Sequence, residues 1–296
     1  MIPTNLKADL ILILAAIIWG FAFVAQRIGM EYVGPFTFNG IRFALGALVL
    51  VPFLLRKKNN SKQATTIPGE RNKLIIGSFV TGLLLFAGVS LQQVGLQTTT
   101  AGKAGFLTGL YVVFVPVFGM FLHHKTGLFV WLGVILSAVG LYFLSITQEF
   151  TISTGDLLVL GCALVFSGHV LIIGWLSPKM DPYKLAATQF SVCAILSLIV
   201  AISIEPIVLS KIIDAAVPIC YGGILSVGVA YTLQVIAQQK ANPAHASIIL
   251  SLEAVFAAIG GWMILHEHLT NRSLAGCFLM LLGMIVVQVY PQGKKL

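Results

Sequence analysis

Ten apolar runs follow one another along this sequence, at roughly 9–28, 35–55, 73–96, 99–120, 128–146, 155–176, 184–204, 215–239, 243–265 and 272–290. A helix that crosses a bilayer needs about 20 mostly apolar residues, so ten such runs occupy about two thirds of the 296 residues. The remainder suffices for connectors and not for a soluble domain. Composition agrees: 58% of residues are hydrophobic and 9% charged, with a mean hydropathy of +0.97, against roughly 45–50% apolar and about 25% charged in a soluble domain. These values exclude an ordinary globular fold, a disordered chain, a collagen and a coiled coil. The expected fold class is an all-α integral membrane protein with ten transmembrane helices, and the lipid bilayer is its first partner. The formal charge of +8 comes with no basic groove of interleaved aromatics, so no nucleic-acid partner is expected.

Direction follows from Lys and Arg, which concentrate on the cytoplasmic side. With the N-terminus inside, thirteen of the eighteen fall on inner segments: Lys7, Arg56, Lys57, Lys58, Lys62, Arg71, Lys73, Lys125, Lys179, Lys184, Lys240, Lys294 and Lys295. Four fall outside (Arg27, Lys103, Lys211 and Arg272), and Arg42 lies within a span. Both termini are therefore expected in the cytoplasm of a multi-pass protein. The first run ends on Gln26-Arg27 and shows no A-x-A cleavage pattern, so it reads as a span and not as a signal peptide. Cys162, Cys193, Cys220 and Cys277 each lie inside an apolar run without C-x-x-C spacing, which points to packing and away from metal or disulfide roles.

The chain also matches itself. A slide of 147 carries the first two spans onto the sixth and seventh, with Asp9 on Asp156, Ala16 on Ala163, Pro35 on Pro182 and Phe43 on Phe190. A slide of 142 carries the third and fourth onto the eighth and ninth: Leu91-Gln92 meets Leu233-Gln234, Gln97 meets Gln239, Ala104 meets Ala246, Leu110 meets Leu252 and Phe114 meets Phe256. One further residue of shift puts Gly133 on Gly276 and Gly140 on Gly283. Two repeats, 1–148 and 149–296, are expected, with five spans each. An odd number of spans forces the halves into opposite topology, the arrangement of secondary transporters whose substrate site lies near mid-membrane at the repeat interface. Duplication kept only for packing symmetry is the alternative. Transport ranks above it, because alternating access needs two equivalent halves that exchange roles.

The stretch Phe106-Leu-Thr-Gly-Leu-Tyr-Val-Val-Phe-Val-Pro116, its partner Ala246-Ser-Ile-Ile-Leu-Ser-Leu-Glu-Ala-Val-Phe256, and the following His266-Glu267-His268-Leu269-Thr270 resemble the drug/metabolite transporter superfamily. More narrowly, they are similar to its bacterial EamA-type permeases, as are Trp19-Gly20 and Arg42-Phe43. The resemblance covers essentially the whole chain. It implies ten helices in two EamA repeats and transport of metabolites or amino acids, usually efflux, across the bacterial inner membrane. The acidic residue that ends the fourth span of such a repeat is Glu267 in the second half; the aligned first-half position is Lys125, a departure.

Ionisable side chains at lipid depth are expensive and mark candidate sites. Glu253, the one mid-span carboxylate, and its repeat mate Tyr111 fall at mid-depth, the one level that an inverted repeat maps onto itself. Two turns earlier are the mates Lys103 and His245, on roughly the same helix faces. These four are the expected pathway lining of spans four and nine, although a packing role for Glu253 is the alternative. Arg42, about 5 Å from mid-depth by helix rise, either pairs with Glu253, meets a substrate carboxylate with its cationic fork, or snorkels outward. His169 is either titratable or a satisfied packing residue, and mid-span Trp19 and its mate Phe166 either stack on substrate or pack. Gly105 and Gly109, with Ala101 and Thr108, form a small-residue face suited to close helix contact.

Enzyme motifs are missing. His266-Glu267-His268-Leu269-Thr270 lacks the second histidine of a zinc-protease H-E-x-x-H, Gly102-Lys103-Ala104 lacks P-loop spacing, and there is no G-x-S-x-G. No metal and no cofactor are expected. The expectation is a permease exporting a small-molecule substrate, foremost amino acids, by alternating access. An exporter of cationic drugs, a passive channel and a non-transporting subunit are the alternatives, and the oligomeric state stays open between monomer and homodimer.

Overall fold

The computed structural model describes residues 4–57, 68–123, 126–145 and 153–289, and no strand occurs among them. The charge bias attributed to Lys58, Lys62, Lys125, Lys294 and Lys295 lies outside the described residues. Among the described residues, nine helical segments of 19 to 26 residues are long and apolar enough to cross a membrane, and the shorter apolar helix Leu128–Phe143 makes the tenth. The first repeat runs through α1 (Thr4–Gly29), α2 (Pro35–Lys57), α3 (Pro68–Gly95), α4 (Ala101–Gly109) with α5 (Tyr111–Phe121), and α6 (Leu128–Ser145). In the second repeat, α7 (Thr154–Leu176) and α8 (Pro182–Ile204) precede the short α9 (Leu209–Asp214). The eighth span is α10 (Ala216–Cys220), a π-helical stretch Tyr221–Tyr231 and α11 (Thr232–Ala237). The ninth joins α12 (Pro243–Leu250) to α13 (Glu253–Leu265), and α14 (Asn271–Val289) is the tenth.

Local chemistry sets the helix starts. Ser153 and Asp156 form a reciprocal capping box on α7. Asp181 and Asn242 cap α8 and α12 through their own side chains, each followed by a proline whose missing N–H costs nothing at the first helical position.

Repeat mates pack against each other. Span two lies on span seven (α2 on α8) and span five on span ten (α6 on α14), so the pseudo-twofold axis passes between both pairs. Phe43 and its mate Phe190 meet with ring centroids 6.2 Å apart. At the other pair the helices nearly touch backbone to backbone: a Cβ on Gly140 would stand 2.6 Å from the Gly276 carbonyl oxygen, and one on Gly133 would stand 3.0 Å from that of Gly283. With 133 matching 276 and 140 matching 283, these contacts are one contact repeated by the axis. The chain is therefore two inverted five-helix repeats.

Three spans that the hydropathy pattern reads as continuous are interrupted. The fourth breaks at Leu110 and the ninth at Ser251-Leu252. Leu110 and Leu252, matched by the repeat, share the backbone angles φ −60°, ψ −13°. The eighth is π-helical over eleven residues, whereas its mate α3 is uninterrupted. A change of hydrogen-bond step leaves apolarity untouched, so hydropathy carries no sign of it.

Candidate functional site

The two breaks face one cavity. Its volume is about 30 Å³, room for roughly one water molecule, and it lies on the pseudo-twofold axis. Six pairs of repeat mates line it: Trp19 and Phe166, Ala22 and His169, Phe23 and Val170, Gln92 and Gln234, Thr108 and Leu250, Tyr111 and Glu253. Gln26, Arg42, Ser226 and Tyr231 complete the wall without their mates. Tyr111 and Glu253 are the first residues after their breaks, so each side chain leaves its helix where the backbone is least regular and projects into the cavity.

The charges in this wall are incompletely satisfied. Glu253 is 4% exposed, and its Oε1 has no hydrogen-bond partner. The Tyr111 side chain lies against the same carboxylate, yet its hydroxyl does not reach hydrogen-bond geometry with any described group. Arg42 is 2% exposed. Its Nε donates to Asn39 Oδ1 at 3.0 Å, and Asn39 Nδ2 in turn donates to the Val89 carbonyl at 3.1 Å. Phe38 and Phe43 flank the guanidinium at 5.5 and 5.1 Å, a cation–π setting. Among the described residues its Nη2 has no partner. The pairing of Arg42 with Glu253 considered above is not made: both keep an unpartnered polar atom in the same cavity.

Around these groups the wall is aromatic. Trp19 Nε1 donates to the Ser226 carbonyl at 3.2 Å, and its ring lies 4.6 Å from that of Tyr231. His169 Nε2 lies 2.8 Å from Gln189 Oε1. Gln189 is the repeat mate of Arg42, so one half places a cation where the other places an amide that holds a histidine. Phe166 meets His169 edge-on at 6.2 Å.

Lys103 and His245 are brought to opposite ends of the molecule, away from this cavity. Lys103 Nζ donates to Asp156 Oδ2 at 2.6 Å, and His245 Nε2 lies 2.8 Å from Asp9 Oδ1. The Lys103 end opens into a vestibule of about 910 Å³ that Arg27, Glu31, Glu267 and His268 also line. The vestibule shares no lining residue with the cavity. A buried apolar cluster including Phe23, Ala101, Ala104 and Ala257 packs in this region. The small-residue face of α4 meets α13 here: a Cβ on Gly105 would stand 2.7 Å from that of Ala257, and Gly109 has room only at 3.1 Å from Leu141.

The His-Glu-His stretch is structural. His266 adopts the left-handed conformation at φ 56° that ends α13, and the Glu267 carboxylate crosses to the other repeat. There it accepts the Ala101 and Gly102 N–H groups at 3.0 and 3.1 Å, at the start of α4. Glu205 does likewise for α2, accepting from Phe36 N and Thr37 N at 2.8 Å each and from the Thr37 hydroxyl at 2.7 Å. Sequence reasoning passed over Tyr231, Gln26 and these carboxylate caps. The partnership of Asp9 and Asp156 with His245 and Lys103 did have a signal, since both sets were already matched as repeat mates.

The EamA-like transporter family matches residues 6–146 and again 153–289. An uncharacterized transporter of Archaeoglobus fulgidus is 35% identical over 96% of this chain and 87% of its own length. The uncharacterized transporter YoaV of Bacillus subtilis is 26% identical over 95% and 96%. A WAT1-related chloroplastic protein of Arabidopsis thaliana is 24% identical over 93% and 68%. A solved crystal structure shares the fold, with a TM-score of 0.76 over 96% of both chains at 18% identity. Two matched repeats, ten apolar helices and a cavity on the axis between them agree on one assignment: the chain belongs to the EamA-like transporter family, a multi-pass membrane transporter.

Proposed function

We propose that this transporter is a secondary-active permease that exports small zwitterionic metabolites, foremost amino acids, across the bacterial inner membrane. The observation that carries this reading is the pair of unsatisfied opposite charges, Arg42 Nη2 and Glu253 Oε1, buried in the wall of one cavity between the repeats. A guanidinium edge suits a carboxylate, and a buried carboxylate suits an ammonium. A ligand carrying both groups satisfies both at once, whereas a cationic drug leaves Arg42 unpaired, a costly state for a buried charge. The aromatic remainder of the wall supplies apolar surface for a side chain. At about 30 Å³ the cavity is too small for any amino acid, so loading requires the repeats to part. Rocking of the halves about the axis does this and exposes the site to one side at a time.

In this reading α1 begins at the cytoplasmic face, both termini are cytoplasmic, and the driving force is an ion or solute gradient. Glu253 is the proposed proton carrier, because one carboxylate that holds either a proton or an ammonium couples the two movements. The test is binding and counterflow with purified protein in proteoliposomes, using amino acids, the matching amines and acids that lack one charge, and cationic dyes. Zwitterions are expected to stabilise the protein thermally and to exchange; stabilisation by dyes alone overturns the substrate class. Proton coupling fails if Glu253→Gln leaves pH-gradient-driven transport unchanged.

A further inference from the structure

The two ion pairs at the ends of the molecule are the same contact made twice. Asp9 matches Asp156 under the slide of 147, and Lys103 matches His245 under the slide of 142. Applying the axis to Lys103–Asp156 therefore generates His245–Asp9, which the structure contains. Each pair joins one repeat to the other: Lys103 of the first holds Asp156 of the second, and His245 of the second holds Asp9 of the first. Inverted topology places the pairs on opposite faces of the membrane, where α7 and α1 begin. All four side chains are at most 30% exposed, and neither pair belongs to the cavity wall.

Separating the repeats on one face must break the pair on that face and leaves the other intact. Both are made here, together with a cavity of only about 30 Å³ between the repeats. We infer that Lys103–Asp156 and His245–Asp9 are the two gate latches of this transporter, opened alternately. The inference rests on the alternating-access reading and on no particular substrate.

The latches differ in strength. Asp156 also accepts the Thr99 hydroxyl at 2.8 Å and the Ser153 N–H at 2.7 Å, and beside it the Glu267 carboxylate ties α13's end to α4. The Ser153 bond stays within α7, whereas the Thr99 bond joins the repeats, and the repeat mate of Thr99 is Ala241, whose side chain has no hydrogen-bonding group. The latch at the α1 face carries histidine in place of lysine, and it is an ion pair only with that histidine protonated. Among the described residues, opening at the α1 face thus breaks fewer contacts between the repeats, and the empty carrier opens there more often. With that face cytoplasmic, the empty site faces the pool from which an exporter loads.

Accessibility of the cavity to a membrane-impermeant maleimide tests this without any substrate. Ala22→Cys, in a background with the four native cysteines replaced, places one thiol in the cavity wall. Proteoliposomes are labelled from either side. Asp156→Asn is expected to speed labelling about tenfold or more from the α7 face alone, and Asp9→Asn from the α1 face alone. Before either change, labelling from the α1 face is the faster. Should a neutralised aspartate destabilise the protein, the exchanged pair Asp9→Lys with His245→Asp, at the pair whose aspartate caps no helix, restores the attraction and returns labelling from the α1 face toward the starting rate. Acceleration from both faces, from the wrong face or from neither overturns the assignment. Because no ligand is present, failure of the amino-acid reading leaves this result unaffected.

Discussion

Replacing Glu253 by glutamine should move stability and function in opposite directions. The carboxylate is 4% exposed, one oxygen has no hydrogen-bond partner, and the nearby Tyr111 hydroxyl is unsatisfied too. A buried polar atom left unpaired costs about 1–3 kcal/mol, more when charged. Glutamine has nearly the same shape, carries no charge, and brings an amide donor that the Tyr111 oxygen can accept. Recovery of about 1–2 kcal/mol is expected by that principle. At about 2–4 °C per kcal/mol for a chain of this size, the melting temperature in detergent should rise by roughly 2–8 °C. A hydrogen bond to a charged group is worth about 1.5–3 kcal/mol, and each 1.4 kcal/mol is a factor of about ten in affinity. The variant should therefore bind a zwitterion roughly 10- to 150-fold more weakly while a carboxylate-only analogue binds unchanged. Thermal unfolding of the apo protein and titration calorimetry with the two ligands read both effects. A lower melting temperature with unchanged zwitterion affinity would refute the reasoning, because it would show the carboxylate to be a packing group already satisfied in the fold.

The counterpart is Arg42→Gln, which installs the residue that its repeat mate Gln189 already carries. Carboxylate-bearing ligands should lose about tenfold or more in affinity and amine-only ligands should not, as judged by ligand-induced thermal shifts; Arg42→Lys rescues only in part, because the ammonium lacks the planar fork. Gly140→Ala should lower the melting temperature, since its Cβ would stand 2.6 Å from the Gly276 carbonyl oxygen and 2.9 Å from the Met280 nitrogen, and forcing a methyl between two backbones costs about 1–3 kcal/mol. Glu205→Ala removes the acceptor of three hydrogen bonds at the start of α2, so faster amide exchange at Phe36 and Thr37 is expected by mass spectrometry.

The symmetry of the molecule is strictest at the helix contacts between the repeats and weakest in the wall of the cavity. Glycines in α6 and α14, the phenylalanines between α2 and α8 and the breaks at Leu110 and Leu252 all obey the axis. The polar groups of the cavity wall do not: the repeat mate of Arg42 is Gln189, that of His169 is Ala22, and that of Glu253 is Tyr111. In the proposed alternating access, exchange of roles constrains the hinges and contacts that both halves use in turn. A solute bound as proposed meets each side chain only in the one site, so nothing ties the side chains there to their mates.

Ten crossings, the odd number per repeat and hence the inverted halves were determined by the sequence, because lipid demands long apolar helices and the repeat spacing is written in residue identity. The depth of Glu253 and Tyr111 was legible for the same reason: mid-membrane is fixed by counting residues along a helix. Which polar groups meet was decided by the tertiary structure. Lys103 and His245 lie about two helical turns before Tyr111 and Glu253 in the sequence, yet they pair with Asp156 and Asp9 at opposite ends. Arg42 reaches the cavity without reaching Glu253, because Asn39 and two phenylalanines hold its guanidinium. The π-helical eighth span and the two broken helices left no trace in the apolar pattern. Apolarity specifies that a segment is buried in lipid, but the hydrogen-bond step of its backbone and the partner of each buried charge depend on which helix lies alongside, and that is settled only when the repeats pack.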